Sequence, residues 1–407
     1  MLDFTFYSPT EFVFGKETET RTGQLAKKYG ASRVLIAYGG GSAVRSGLLD
    51  RVKASLDAEG LSYVELGGIQ PNPTEGKVYE GIDIVRKENI DFLLAVGGGS
   101  VIDTVKAIAC GVYYDGDFWD FYIGKAKVTK AMPLGVVLTI PAAGSEGSGN
   151  SVITNSETKQ KLGIKHPMIL RPRFSVMNPQ LTVTLPAWQT ASGICDMMVH
   201  ILERYFTNTP HTEVGDRMCE GVLMACINEG RKVMADPTDY DARANIMWCG
   251  TVAHNGTCGV GCEEDWSGHQ MEHELSAMFD VTHGAGLAVI TPAYMTFMAE
   301  HNPERIVQFA ERVFGVTNDE VKPTSLVFND INTAIALEGI SRFKKFLHKD
   351  LRLPITLGQL LPSLTEEEIE AAIPALVENL HKNKGETFGT FYPITREVSE
   401  QIYRLAI

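Results

Sequence analysis

A chain of 407 residues with 44% hydrophobic content is too long for one compact core and too apolar to stay disordered, so two packed domains are expected. Its formal net charge of -13, with no local run of Lys and Arg to offset it, repels phosphate backbones and anionic lipid, which argues against nucleic acid or membrane as a partner. No apolar stretch approaches the roughly 20 residues of a membrane span, and the first residues form neither a basic nor an apolar leader, so the expected location is the cytoplasm.

The first half alternates short β-branched runs with longer amphipathic stretches. Residues 4–14 read as a hairpin, 33–37 (RVLIA) as a strand, 48–58 as a helix, 62–66 as a strand and 74–88 as a helix. Residues 92–96 (FLLAV) are strand again, 101–112 helix and 134–139 (LGVVLT) strand. Such alternation predicts a parallel, Rossmann-like sheet with helices on both faces, because parallel neighbours need crossover connections. Ligands then gather beyond the carboxyl ends of the strands. After Leu185-Pro186 the pattern is almost wholly helical, and Pro186 suits a first helical position. The expected organisation is an α/β domain over 1–185, whose strand ends suit a ligand, and a helical domain over 186–407, with a tight cleft between them.

The seven cysteines, Cys110, Cys195, Cys219, Cys226, Cys249, Cys258 and Cys262, are odd in number and irregularly spaced, so they read as reduced thiols. Cys258 and Cys262 are four apart, but a structural zinc site would need a second pair, and buried small hydrophobes are the better reading.

Two glycine-rich loops follow strands in the same sheet: Gly39, Gly40, Gly41 and Ser42, then Gly97, Gly98, Gly99 and Ser100. Glycines let backbone approach a ligand closely, and the free amides at a helix start attract an anion such as pyrophosphate. Either loop alone is equally well a tight turn; two at carboxyl ends point to a dinucleotide. Neither has the G-x-G-x-x-G spacing of the Rossmann fingerprint, so Glu65, the acid that fingerprint would send to the adenosine ribose, is set aside.

Further along, Asp196 and His200 are four apart in the predicted helix and project from one face, while Ile194, Met197, Ile201, Leu202 and Tyr205 form its packing surface. Alone, such a pair is commonly a surface ion pair. A second segment, DWSGHQMEHELSAMFDVTHGAGLAVITP, carries His269, His273 and His283. Asp196, His200 and two of these histidines would make a three-nitrogen, one-oxygen set suited to divalent Zn or Fe; satisfied core histidines are the alternative.

GGGSVID at 97–103, IPAAGSEGS at 140–148, the D-x-x-x-H of Asp196 and His200, and the H-x-x-x-H with a third histidine at 269, 273 and 283 together resemble the iron-containing, or group III, alcohol dehydrogenase family. The butanol dehydrogenase and NADPH-dependent aldehyde reductase branch fits best. The resemblance implies a dehydroquinate synthase-like architecture and ligation of one Fe2+ or Zn2+ by Asp196, His200, His269 and His283, with His273 unliganded. It also implies pyrophosphate contacts from Gly98, Gly99 and Ser100 and further cofactor contacts from Asp103, Thr139, Ser145, Ser148 and Lys161. NAD-preferring relatives carry an Asp where this chain has Gly39, so NADP(H) is expected ahead of NAD(H), with Arg45 placed to attract a 2′-phosphate.

The reaction so implied interconverts small, butanol-like primary alcohols and aldehydes. His273 would carry the alcohol proton to solvent, or instead only orient a ligand. A polyol dehydrogenase of glycerol type on the same scaffold is the second reading. A cyclising lyase of dehydroquinate synthase type would need a Lys and Arg cluster that the histidine segment lacks. Trp119, Trp266, Met271 and Phe279 would line an apolar pocket or belong to the core. The aromatic residues Phe4, Phe6, Tyr7, Phe12 and Phe14 offer an edge for pairing, so a homodimer is expected.

Overall fold

The structure, a computed structural model, describes residues 1–321 and 331–407. It divides into two compact units: an α/β unit of Thr5–Leu185 with Pro237–Gly256, and a helical unit of Met1–Phe4, Pro186–Asp236 and Thr257–Ile407.

The α/β unit is built on strands β1 (Glu11–Phe14), β2 (Arg33–Gly39), β3 (Ser62–Ile69), β4 (Phe92–Gly97), β5 (Leu134–Leu138) and β8 (Phe174–Met177). They lie in the order β1-β8-β5-β4-β2-β3, and every neighbouring pair is parallel. A separate antiparallel pair, β6 (Asn150–Thr154) and β7 (Lys161–Lys165), stands beside them. The connecting helices are α1 (Thr22–Lys28), α2 (Ser42–Arg45), α3 (Leu48–Ala58), α4 (Glu75–Glu88), α5 (Gly99–Gly111) and α6 (Trp119–Tyr122). Because strand side chains alternate, the apolar runs feed two cores. Leu35, Leu93 and Val136 pack with Val105 and Ile108 of α5 and Ile82 of α4. Val34, Ile36, Leu94 and Val137 pack with Leu25 of α1 and Val52 and Leu56 of α3.

Two expectations are corrected. The hairpin over 4–14 does not form: only Glu11–Phe14 is a strand, and it pairs in parallel with β8. Its alignment begins where the Thr10 hydroxyl and the Glu11 N–H donate to the Pro172 and Arg173 carbonyls. The chain start is tied elsewhere, with the Met1 ammonium on the Pro210 carbonyl and the Leu2 N–H on that of Gly261. Nor does a single cut near residue 185 divide the chain, because helix α9 (Tyr240–His254) belongs to the α/β unit. Trp248 packs edge-on against Phe12 with ring centroids 5.6 Å apart, and the Thr251 hydroxyl donates to Glu146 Oε1 at 2.6 Å.

The helical unit contains α7 (Ala187–Tyr205), α8 (Glu213–Ala235), α10 (Ser267–Phe279), α11 (His283–His301), α12 (Glu304–Phe314), α13 (Ile331–Lys345), α14 (Leu357–Leu360), α15 (Glu366–Lys384) and α16 (Arg396–Leu405). Helix α11 is apolar around nearly its whole circumference, the pattern of a central helix, and α7 and α10 pack upon it. No described helix is long and apolar enough to cross a membrane.

Candidate active site

One carboxylate oxygen organises the helical unit's polar centre. Asp196 and His200, one turn apart on α7, place His200 Nδ1 3.5 Å from Asp196 Oδ1. From α10 and the first residue of α11, His269 Nε2 and His283 Nε2 reach the same oxygen at 3.6 and 3.7 Å. These separations exceed hydrogen-bond length. Donors held tetrahedrally about 2.1 Å from a common ion stand about 3.4 Å apart, which the three distances to Asp196 Oδ1 approach; the ligand atoms of Asp196, His200 and His269 lie within 4.8 Å of one another, while His283 also groups with Glu272 and His273. His269 Nε2 is buried, and no hydrogen bond reaches it among the described residues. The donor set thus fits one divalent ion.

Burial, helped by the neighbouring His269, Arg204 and His283, holds His200 well below the ordinary histidine range. Burial also acts to lower His269, but Glu203 and Asp196 outweigh it and raise the group to about 9. Without an ion the centre therefore favours neutral His200 and protonated His269, and an ion binding there displaces that proton.

His273 lies one turn beyond His269 on α10, with its ring 5.6 Å from that of His283. It is half-buried and groups with Glu272 and His283 rather than around Asp196 Oδ1. Trp266 stands edge-on to His269, centroids 5.3 Å apart, and to His200. Of the other candidates for a pocket wall, Met271 is fully buried in the helical core, whereas Trp119 is buried in the α/β unit, stacked on Tyr122. No disulfide joins the seven cysteines; the Cys219 thiol donates to the Cys258 carbonyl, and Cys262 is half-buried.

Sequence spacing missed two buried acids here. Glu203 Oε1 accepts the His269 backbone N–H at 2.8 Å, and Oε2 pairs with His269 Nδ1 at 2.5 Å. Glu272 accepts the Ser276 hydroxyl at 2.5 Å and pairs with His283 Nδ1. The signals were present: Glu203 follows His200 by three on one helical face, and Glu272 sits between His269 and His273.

In the α/β unit, β2 and β4 are adjacent and in register up to Tyr38 and Val96, so Gly39 to Ser42 and Gly97 to Ser100 leave the sheet side by side at its carboxyl end. Thr139 follows β5 there, its N–H donating to the Gly97 carbonyl. The other candidates are deeper. Ser145 and Ser148 are buried. Asp103 accepts the Ser145 hydroxyl at 2.6 Å and the Val152 N–H at 2.9 Å, and buried Lys161 donates to Asn72 Oδ1 at 3.2 Å. A residue that the sequence reading passed over holds this loop: fully buried Lys106 donates to the carbonyls of Ser145, Ser148 and Asn150 at 2.7, 2.9 and 2.8 Å, and to Ser145 Oγ at 2.8 Å. Its only sequence signal is a lone cation in an apolar helix. Glu65 is engaged by Lys53 at 2.6 Å and by the Tyr38 hydroxyl at 3.1 Å.

This pairing of a parallel α/β unit with a helical unit centred on Asp196 has known counterparts. Residues 9–179 match the iron-containing alcohol dehydrogenase family, and residues 190–386 match the C-terminal part of the Fe-containing alcohol dehydrogenase family. The chain is 40% identical to NADH-dependent butanol dehydrogenase A of Clostridium acetobutylicum, over 99% of each chain. It is 35% identical to the NADPH-dependent aldehyde reductase YqhD of Escherichia coli, over 100% of each. The crystal structure of NADH-dependent butanol dehydrogenase A from Thermotoga maritima matches with a TM-score of 0.91 at 38% identity, covering 100% of this chain and 99% of that one. The chain belongs to the iron-containing alcohol dehydrogenase family. It is accordingly an NAD(P)-dependent alcohol dehydrogenase.

Proposed function

We propose that this chain reduces small aldehydes to primary alcohols, and runs the reverse reaction, with NADP(H) preferred over NAD(H) and with one Fe2+ or Zn2+ held by Asp196, His200, His269 and His283. The observation that carries this reading is the ring of three imidazole nitrogens 3.5–3.7 Å from one buried aspartate oxygen. A divalent ion bound there supplies Lewis acidity toward a carbonyl or hydroxyl oxygen, and the nicotinamide supplies the hydride.

The chain's own groups do the rest. Asp196 brings negative charge and the three histidines neutral donors. Half-buried His273, beside His283, holds and passes the alcohol proton. Trp266, in T-shaped contact with His269, puts a large aromatic ring beside the centre, which supports unsubstituted alkyl aldehydes over polyols. Free amides at the start of α5 and the Gly39 to Ser42 turn receive the cofactor's phosphates. Gly39 brings no acid to the ribose, Glu65 is neutralised by Lys53, and Arg45 follows the turn, which together support a 2′-phosphate. The acidic surface and reduced thiols support a cytoplasmic enzyme. Exposed Phe4, Phe6, Tyr7 and Phe14, together with the edge position of β1, support a homodimer.

The test is kcat/KM for an aldehyde chain-length series and for glycerol-type polyols, with NADPH and NADH, on protein of measured metal content. Highest efficiency with short alkyl aldehydes and NADPH is expected. Polyol turnover exceeding butanol turnover would refute the substrate assignment, and a preference for NADH would refute the cofactor assignment.

A further inference from the structure

We propose that Glu203 and Glu272 are positioning residues that fix the ring tautomers of His269 and His283 and thereby set how tightly the centre holds its divalent ion. The proposal rests on the metal-centre reading above and concerns two acids outside its four proposed ligands.

Each acid engages Nδ1, the ring nitrogen other than the one that faces Asp196. A carboxylate at Nδ1 keeps the proton on that nitrogen, so Nε2 must present its lone pair, and for both histidines Nε2 is the atom near Asp196 Oδ1. The same contact makes the imidazole a more basic donor.

Space has been made for these contacts twice, in the same way. A Cβ on Gly268 would lie 2.9 Å from Glu203 Oε1, and one on Gly286 would lie 2.8 Å from Glu272 Cγ and Oε1. Both glycines are within helices, α10 and α11, and neither has a left-handed φ. Glycine inside a helix is less stable than alanine, and here the backbone does not require it. What it permits is the close approach of a buried carboxylate to a histidine.

The two acids differ in a way that makes the idea testable. Glu272 accepts from one hydroxyl and one ring N–H. An amide can copy that pattern, since its oxygen can take the His283 Nδ1 proton while its NH2 donates to Ser276 Oγ. Glu272→Gln therefore copies these two hydrogen bonds and removes the charge. Glu203 accepts the His269 backbone N–H through Oε1 and forms an ion pair with His269 Nδ1 through Oε2, so Glu203→Gln removes the charge and sets an NH2 against one of these two nitrogens.

The experiment is titration of the metal-free chain with Co2+, read by its visible absorption and by competition with a chelator. Glu272→Gln should bind about 10–100-fold more weakly, with a shifted ligand-field spectrum, and Gly286→Ala should move both in the same direction. Glu203→Gln should lose more. Glu274→Gln is the control: Glu274 is also buried on α10, but it bonds Asn383 and no histidine, and its Co2+ affinity should equal that of the unmodified chain. Unchanged affinity and spectrum in Glu272→Gln would overturn the proposal. If the unmodified chain takes up no Co2+ at all, the metal-centre reading itself fails.

Discussion

Replacing Lys106 with Met removes a buried cation and keeps most of its volume. At neutral pH the ammonium is held at a cost. Burial, opposed by Asp103 and Glu146, pulls its pKa from 10.5 to about 8, and at about 1.4 kcal/mol per pH unit the penalty is about 3 kcal/mol. Against this, Met leaves the carbonyls of Ser145, Ser148 and Asn150 without this donor, at about 1–3 kcal/mol for each buried acceptor. The three acceptors lose about 3–9 kcal/mol against a relief of about 3, so the variant should be less stable at pH 7 by up to about 6 kcal/mol. The pH dependence is the sharper signature. Between about pH 8 and 10.5 the unfolded chain holds the Lys106 proton and the folded chain does not. Stability of the unmodified protein then rises with pH, and the penalty, complete below pH 8, vanishes above 10.5. The gap between the two proteins should widen by up to about 3 kcal/mol over that window. Urea unfolding at fixed pH values measures it. A gap that stays constant from pH 7.5 to 10.5 would refute the account of Lys106 as a buried ammonium. Fluorescence titration should also show weaker NADPH binding, since the loop bearing Ser145 and Ser148 loses its anchor.

Gly39 has no left-handed φ to strain a side chain, although a Cβ there would stand 3.2 Å from the Ile69 carbonyl oxygen and push it by a few tenths of an ångström; Gly39→Asp should lower the NADPH to NADH efficiency ratio by about tenfold or more, and an unchanged ratio would place the ribose elsewhere. His283→Ala should lose most bound metal and nearly all turnover while keeping NADPH binding, as elemental analysis and fluorescence titration will tell. His273→Ala should keep the metal, lose about a hundredfold in turnover and alter the pH profile; loss of metal instead would make it a ligand. Light scattering should give twice the mass of one chain, and Phe6→Glu with Phe14→Glu, both exposed positions, should reduce it to one chain; a monomeric unmodified protein would remove the dimer reading.

Much of the architecture was legible locally. Runs such as RVLIA and FLLAV, each followed by glycines and an amphipathic stretch, specify strand, turn and helix within about thirty residues, since side-chain periods of 2 and 3.6 are properties of neighbours along the chain. The same periodicity put Asp196 with His200, and His269 with His273, on shared faces. What lay outside its reach were pairings between distant segments. The aromatic start looked like a hairpin, yet β1 found β8, more than 150 residues on, because the register of parallel strands is set by the packed sheet rather than by a turn. Likewise α9 reads as one more helix of the second half, and tertiary contacts such as Trp248 on Phe12 and Thr251 on Glu146 return it to the α/β unit.

At the site, the sequence by itself determined which residue types were present and which pairs shared a helical face. That His283 meets Asp196, that Glu203 reaches a histidine 66 residues away, and that Lys106 gathers three carbonyls from a separate loop were decided by tertiary packing alone. A buried charge or lone pair is satisfied by whatever partner the fold brings within about 3 Å, and no local pattern encodes that partner.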